Sequence, residues 1–313
     1  MKYKKLPQVS FIIPCRPNIE PSIALNSIKV VDYPHDRIEV IIEKGMNPPA
    51  QRNRGIKKAK GEIIAFVDDD CDIKSNWLLR ATGYFKNEAV GIVGGPNLTP
   101  ENDSLFAHCV GYALSSYFGT AKMSYRYRYN PRGKARICSE ESIILCNMLC
   151  KKEVFDNGLY FNEALFPNEE NEFILRVNKL GYNAIYAPDV QVYHPRKKDF
   201  AGFAKQLMNY GYGRGRQIRI QPHSFKPTHI LPSLFTFALI ALPISFILNL
   251  PFLNQLLISC FFLYLCIAVS ISAITAVKKK DPRIAFILPF IFIVLHVSYG
   301  LGFIKGIAIK KIK

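Results

Sequence analysis

No two cysteines in this 313-residue chain are spaced as C-x-x-C, and no ladder of cysteine and histidine spacings marks a zinc site. The eight cysteines, at positions 15, 71, 109, 138, 146, 150, 260 and 266, are scattered. Two fall in the apolar C-terminal region, so buried or free thiols in a reducing compartment are expected. Internal repeats and low-complexity stretches are also lacking, which leaves ordinary packed domains. A secretory leader is not expected, because the basic start MKYKK runs into a short strand rather than an apolar segment with a cleavage site. Acidic residues are scarce, 24 Asp and Glu against 41 Lys and Arg, and the formal net charge is +17. That balance favours anionic partners.

From Ile230 onward charge almost disappears, apart from Lys278 to Lys280, Asp281, Arg283 and the lysines from Lys305 to the end. Three apolar stretches stand there, about 231–250, 256–277 and 284–303. Each approaches the roughly 20 residues a helix needs to cross about 30 Å of hydrocarbon. None shows the polar face of a soluble helix, so membrane spans are expected.

The first half alternates strands with helices, the pattern of an α/β fold with a mostly parallel sheet flanked by helices. VSFIIP (9–14), IEVIIE (38–43), EIIAFVD (62–68) and VGIVGG (90–95) read as strands buried on both faces. Residues 21–31, 50–60 and 75–86 carry helical spacing, with Ser75 as the expected N-cap of the last. A further helix is expected over 169–180, acidic in its first turn and closed by Gly181. Ligands of such sheets gather where strands end at their carboxyl side. Pro14, Cys15 and Arg16, Glu43 and Lys44, and Asp68 to Asp70 all fall at such ends and are expected to share one crevice.

In an extended chain Asp68 and Asp70 point to one side and Asp69 to the other. Two hard oxygen donors so spaced suit Mg²⁺ or Mn²⁺, which takes further oxygens from a substrate diphosphate. The alternative is a solvated acidic turn capping the next helix.

These residues resemble the family 2 glycosyltransferases of GT-A fold, especially membrane-tethered bacterial and archaeal members that build lipid-linked sugars or polysaccharides. The resemblance rests on the order of VSFIIPCRP, RNRGIKKAKGEIIAFVDDDC, NWL and CNMLCKKEVFDNGLYFNEALFPNEENEFILRVNKLGY, and it covers about residues 8–215. It implies a GT-A catalytic domain over 1–195, a basic amphipathic juxtamembrane segment over 196–229 and a membrane domain over 230–313. It implies a nucleotide-diphosphate sugar donor held by a divalent ion on Asp68 and Asp70, with Asp69 alongside. NEENEFILRVNKLGY matches the acidic pair and helix that carry the family's base, which places Glu170 as catalytic base and Glu169 beside the substrate. The chain departs from the pattern in having Glu where Asp is commoner.

A carboxylate there takes the proton of an acceptor hydroxyl, and attack opposite the departing diphosphate inverts the anomeric centre. The bland reading is acids complementing a helix dipole, with Glu172 paired to Arg176 at i,i+4. Glu43 stands where the family has an acid contacting the nucleobase, Pro14 and Arg16 border the nucleoside, and Arg52 and Asn53 match a recurrent element beside the donor. Arg214 and Arg216 are candidates for a donor or lipid-carrier diphosphate or for anionic headgroups. His194 is a minor candidate for metal or phosphate contact.

The expected activity is transfer of one sugar to a membrane-associated acceptor, a lipid-linked glycan or polyprenyl phosphate, with membrane lipids as partners and no nucleic acid. A catalytically silent membrane scaffold and a processive polysaccharide synthase are the rivals; the sequence contains no Q-x-x-R-W, which disfavours the second. The expected location is the cell membrane, multi-pass, with the catalytic domain cytoplasmic. The basic loop KKKDPR then lies inside, as positive charge prefers, whereas a third span leaves the Lys-rich end outside. The third stretch is therefore also readable as re-entrant or interfacial.

Overall fold

The run Val9–Cys15 is buried at every position because it lies inside a sheet, parallel to Ile38–Lys44 on one side and Ile63–Phe66 on the other. In the computed structural model, which describes residues 6–309, the chain divides into two units, 6–101 with 122–195 and 102–121 with 196–309. The basic start MKYKK and the Lys-rich end from 310 lie outside the described residues.

The first unit is built on a seven-stranded sheet in the order Ile38–Lys44, Val9–Cys15, Ile63–Phe66, Met148–Lys151, Val90–Gly94, Asn183–Tyr186 and Arg136–Cys138. The sheet is mixed: Met148–Lys151 runs antiparallel to both of its neighbours, and Arg136–Cys138 runs antiparallel to Asn183–Tyr186. One face packs Phe11, Trp77, Leu78 and Val93, the other Ile12, Phe66, Phe155 and Phe173. That double burial explains why the strands read as unbroken apolar runs. Asn147, fully buried between them, accepts from the Trp77 indole and donates to the carbonyls of Pro96 and Val190.

The expected helices form at Ser22–Lys29, Pro48–Lys58, Trp77–Tyr84 and Glu169–Lys179. The second begins two residues before Ala50, because Pro48 and Pro49 suit a first turn and the Asn47 side chain caps it. Ser75 is not the cap of the third. Asn76 holds that position without a side-chain cap bond, and the Ser75 carbonyl is taken by the Asp32 N–H at 2.7 Å. Gly181 follows the fourth helix with φ +91°, as a left-handed stop requires.

A second sheet of three short strands has the order Asp72–Ile73, Val192–Tyr193, Asn97–Leu98. Its register sets Tyr193 opposite Asp72, and the His194 N–H bonds the Leu98 carbonyl.

The second unit is helical. Three of its helices are long and apolar enough to cross a membrane: Pro227–Ile247, Pro251–Lys279 and Arg283–Ala308, with mean hydropathy 2.2, 2.5 and 2.3. The last, considered re-entrant or interfacial from sequence, is one unbroken helix and the most buried of the three. The juxtamembrane segment forms Phe200–Ile220, capped by Asp199. It packs along Arg283–Ala308 through glycines spaced four apart. A Cβ on Gly211 would stand 2.1 Å from the Tyr299 carbonyl oxygen, and one on Gly302 2.0 Å from that of Met208. Only residues without side chains permit backbones so close. Residues 102–121 also belong to this unit, as the helices Leu105–Ser115 and Tyr117–Thr120. Phe118 packs on Tyr264, Phe292 and His296, and His296 bridges the Tyr264 hydroxyl and the Phe118 carbonyl.

Candidate active site

Ile63–Phe66 ends just before the aspartates, and the chain turns there instead of continuing extended. The Cys71 N–H closes that turn on the Asp68 carbonyl at 3.1 Å. Strand alternation therefore does not set the directions of Asp68 and Asp70. The turn sends them to different partners.

Asp68 Oδ1 accepts from Arg52 Nη2 at 2.7 Å, while Arg52 Nη1 donates to Glu169 Oε1 at 3.0 Å. Arg52 is buried on the helix Pro48–Lys58, so one guanidinium joins the strand-end loop to the acidic helix Glu169–Lys179. Asp70 Oδ1 lies 3.1 Å from His194 Nε2, and with Cys71 these residues form a cluster whose candidate ligand atoms fall within 4.8 Å of one another. Burial, with Cys146 and the two aspartates adding, raises the Cys71 thiol well above its usual range, so it offers no thiolate. A carboxylate and an imidazole remain, a donor pair that suits Mn²⁺ and, less well, Mg²⁺. Burial also raises Asp69, reinforced by the charges of Asp70 and Asp68.

The acidic helix starts at a strained corner. Asn168, which precedes it, has φ +101°, a left-handed conformation that asparagine tolerates better than most residues. Its side chain accepts from Asn171 at 3.0 Å. All three glutamates of the first turn are buried, and each has an arginine. Glu169 takes Arg52; Glu172 takes Arg176 at 2.7 and 2.8 Å, the i,i+4 pair anticipated from sequence. Glu170 Oε1 accepts from Arg126 Nη1 at 3.2 Å and from Asn171 Nδ2 at 3.3 Å, which leaves Oε2 for another proton. Arg126 also donates to the carbonyls of Glu140 and Glu141 and to the Asn171 side chain. Burial pushes the Glu169 carboxyl up to about 8 against the pull of Arg52, and the charges of Glu170 and Asp68 add to the rise.

The other candidates fall as follows. Glu43 is buried, its two oxygens held by Lys58 at 2.6 Å and Arg54 at 3.0 Å. Asn53 is a clip for the loop ahead of the acidic helix: it accepts from the Phe161 N–H and donates to the Phe161 carbonyl and to Glu163, each at 2.9 Å. Pro14 is buried in its strand and Arg16 is exposed just beyond it. Arg214 and Arg216 belong to the second unit, where Arg214 is buried and donates to Gln217 at 2.8 Å and Arg216 lies over the Tyr212 ring.

Arg126 was not legible as a site residue. It sits in a run of alternating Tyr and Arg whose burial pattern follows neither helical nor strand period, and only the folded chain turns it inward.

Residues 21–157 match the protein family described as "Glycosyl transferase family 2". Over 181 residues the chain is 26% identical to "Glycosyltransferase AglE" of Haloferax volcanii, which spans 58% of this chain and 55% of that protein. It is 27% identical over 165 residues to "Uncharacterized protein y4gI" of Sinorhizobium fredii, covering 50% of this chain and 18% of that one. The matched region is thus about half of the first relative and a small part of the second. Among solved structures it resembles the mannosyltransferase PcManGT of Pyrobaculum calidifontis, in complex with GDP-Man and Mn²⁺. The TM-score is 0.53 at 16% identity, over 95% of this chain and 88% of that one. That likeness extends to the fold.

Proposed function

We propose that the chain is a family 2 glycosyltransferase on a GT-A fold that moves one sugar, with inversion, from a nucleotide-diphosphate sugar to a membrane-associated acceptor. The acceptor class is a lipid-linked glycan or polyprenyl phosphate, in keeping with three helices long and apolar enough to span a bilayer. The catalytic unit faces the cytoplasm, where nucleotide sugars are made.

The carrying observation is that Arg52 bonds both Asp68 and Glu169, whose neighbour in the chain is Glu170. Donor-side and acceptor-side acids thereby share one site. Asp70 and His194 would hold Mg²⁺ or Mn²⁺, and Asp68, whose Oδ1 is occupied by Arg52, would have its second oxygen to add. An ion held there would supply positive charge to offset the negative charge developing on the departing diphosphate. Glu170 takes the proton of the acceptor hydroxyl through Oε2 while Arg126 and Asn171 hold Oε1, so the carboxylate is oriented before the acceptor arrives. The mannosyltransferase of the same fold was solved with GDP-Man and Mn²⁺, the donor and ion classes assigned here.

The test is a panel of radiolabelled nucleotide sugars offered to the purified protein in lipid, with polyprenyl phosphate and with or without Mn²⁺. Metal-dependent transfer from one donor is expected. Glu170→Gln should abolish it and still bind the nucleotide. Undiminished transfer by that variant would remove Glu170 from its role, and no turnover or nucleotide binding across the panel would favour a silent scaffold.

A further inference from the structure

One stripe of the helix Phe200–Ile220 changes character halfway along. Phe203, Leu207, Arg214, Gln217 and, just past the helix end, Gln221 follow one another at spacings of three, four or seven, so they share a face. All five are buried, the first two apolar and the last three polar. The backbone carries the polar part onward: the Gln221 N–H bonds the Gln217 carbonyl at 2.7 Å, and the Ser224 N–H bonds the Gln221 carbonyl at 2.9 Å. Ser224 is buried too, and its Oγ has no hydrogen-bond partner among the described residues.

Arg214 is the costly member of this stripe. It is 1% exposed, its hydrogen bond among the described residues goes to Gln217 Oε1 at 2.8 Å, and no ion pair engages it. A neutral amide oxygen does not compensate a guanidinium, and a buried charge without a counter-charge strongly opposes folding. Arg52 and Arg126, the buried arginines of the first unit described above, each hold a glutamate. In the second unit the described carboxylates are those of Asp103, Asp199 and Asp281. They are engaged elsewhere, by the N–H groups of Ser104 and Arg196, by that of Gly202 and by Arg283. The helix end supplies no substitute, because Arg214 stands more than a turn before Ile220 and the dipole acts within the last turn. Gly215, next to it, presses against Arg283–Ala308, where a Cβ would stand 2.6 Å from the Phe303 carbonyl oxygen. The backbone that carries Arg214 is therefore held in place.

We propose that the polar end of this stripe, anchored by Arg214, seats the phosphate group of a ligand held by the helical unit. The planar guanidinium forks onto two oxygens of a phosphate, which supplies the missing negative charge, and a neutral donor such as the Ser224 hydroxyl suits a third oxygen that a carboxylate does not have. The phosphate comes either free in solution or on a lipid, and its recognition is the same in both cases. This site does not rest on the proposed transfer reaction.

Thermal unfolding of the full chain in dodecyl maltoside, a detergent without phosphate, tests it. The probes are inorganic phosphate, a short-chain phosphatidic acid and polyprenyl phosphate, the two lipids being compared with uncharged diacylglycerol and polyprenol. A phosphate-bearing probe should raise the unfolding temperature saturably, and its uncharged counterpart should not. A response that includes inorganic phosphate marks a free anion, and a response to the lipids alone marks a lipid-borne phosphate. Arg214→Lys should raise the concentration needed about tenfold and Arg214→Met about a hundredfold. Without any probe Arg214→Met should unfold at or above the parent's temperature, because it removes an uncompensated charge; a lower temperature would make the arginine a structural one and count against the site. Arg214→Lys keeps the question answerable if the Met variant does not fold. No saturable response to any phosphate, a response matched by the uncharged lipids, or one unchanged in the Arg214 variants would overturn the inference.

Discussion

Asp68 and Glu169 accept hydrogen bonds from the same guanidinium, that of Arg52, at 2.7 and 3.0 Å. Arg52 therefore fixes how far the strand-end loop stands from the acidic helix. Arg52→Lys should cut transfer about a hundredfold, because an ammonium on a flexible stem cannot hold both carboxylates in a planar fork. Arg52→Ala should in addition lower stability, because Asp68 loses its cation and Glu169 a hydrogen-bond donor. Steady-state transfer and thermal unfolding of the two variants separate these effects, and a fully active Arg52→Lys enzyme would contradict the bridging role.

Asp70 and His194 stand 3.1 Å apart and are the proposed ion ligands. Asp70→Asn and His194→Ala should each weaken Mn²⁺ binding by tenfold or more. The double variant should lose little beyond the worse single one, since both act on one ion. Calorimetric titration with Mn²⁺ measures this; additive losses would indicate separate sites.

The folded protein raises the Glu169 carboxyl from an ordinary 4.5 to about 8. The native state thus holds a proton that the unfolded chain has released between those values. Stability should fall as pH rises through that window, by up to about 1.4 kcal/mol per pH unit, and level off above it. Glu169→Gln, which cannot ionise, should flatten this part of the profile in thermal unfolding measured from pH 5 to about 9. An unchanged slope in the variant would assign the titration elsewhere.

Gly302 meets the Met208 carbonyl where a Cβ would stand at 2.0 Å. Gly302→Leu should force Phe200–Ile220 away from Arg283–Ala308 and destabilise the helical unit by about 1–3 kcal/mol. Gly83→Ala, on the helix Trp77–Tyr84 with nothing within 4 Å of the added carbon, should be neutral or stabilising by about 0.5–1 kcal/mol. Unfolding of the detergent-solubilised protein compares the two, and equal effects would deny the close helix contact.

Patterns carried within one segment were legible from the sequence alone. The apolar runs became the strands Val9–Cys15, Ile38–Lys44, Ile63–Phe66 and Val90–Gly94, and the acidic turn before Phe173 became the start of a helix. The three long apolar stretches became helices of membrane length. Each of these depends on burial periodicity or composition, which local residues express directly.

The pairings that build the site were decided by tertiary structure. His194 reaches Asp70 because two-residue strands pair Tyr193 with Asp72, a register too short to leave a sequence pattern. Arg126, on the short 3-10 helix Ala121–Tyr127, reaches Glu170 44 residues on, and residues 102–121 join the second unit although most of their flanking chain lies in the first. A charged side chain looks the same in a sequence whether solvated or buried. Which it becomes depends on whether the fold brings a counter-charge to offset its desolvation, and that is a property of distant chain segments meeting.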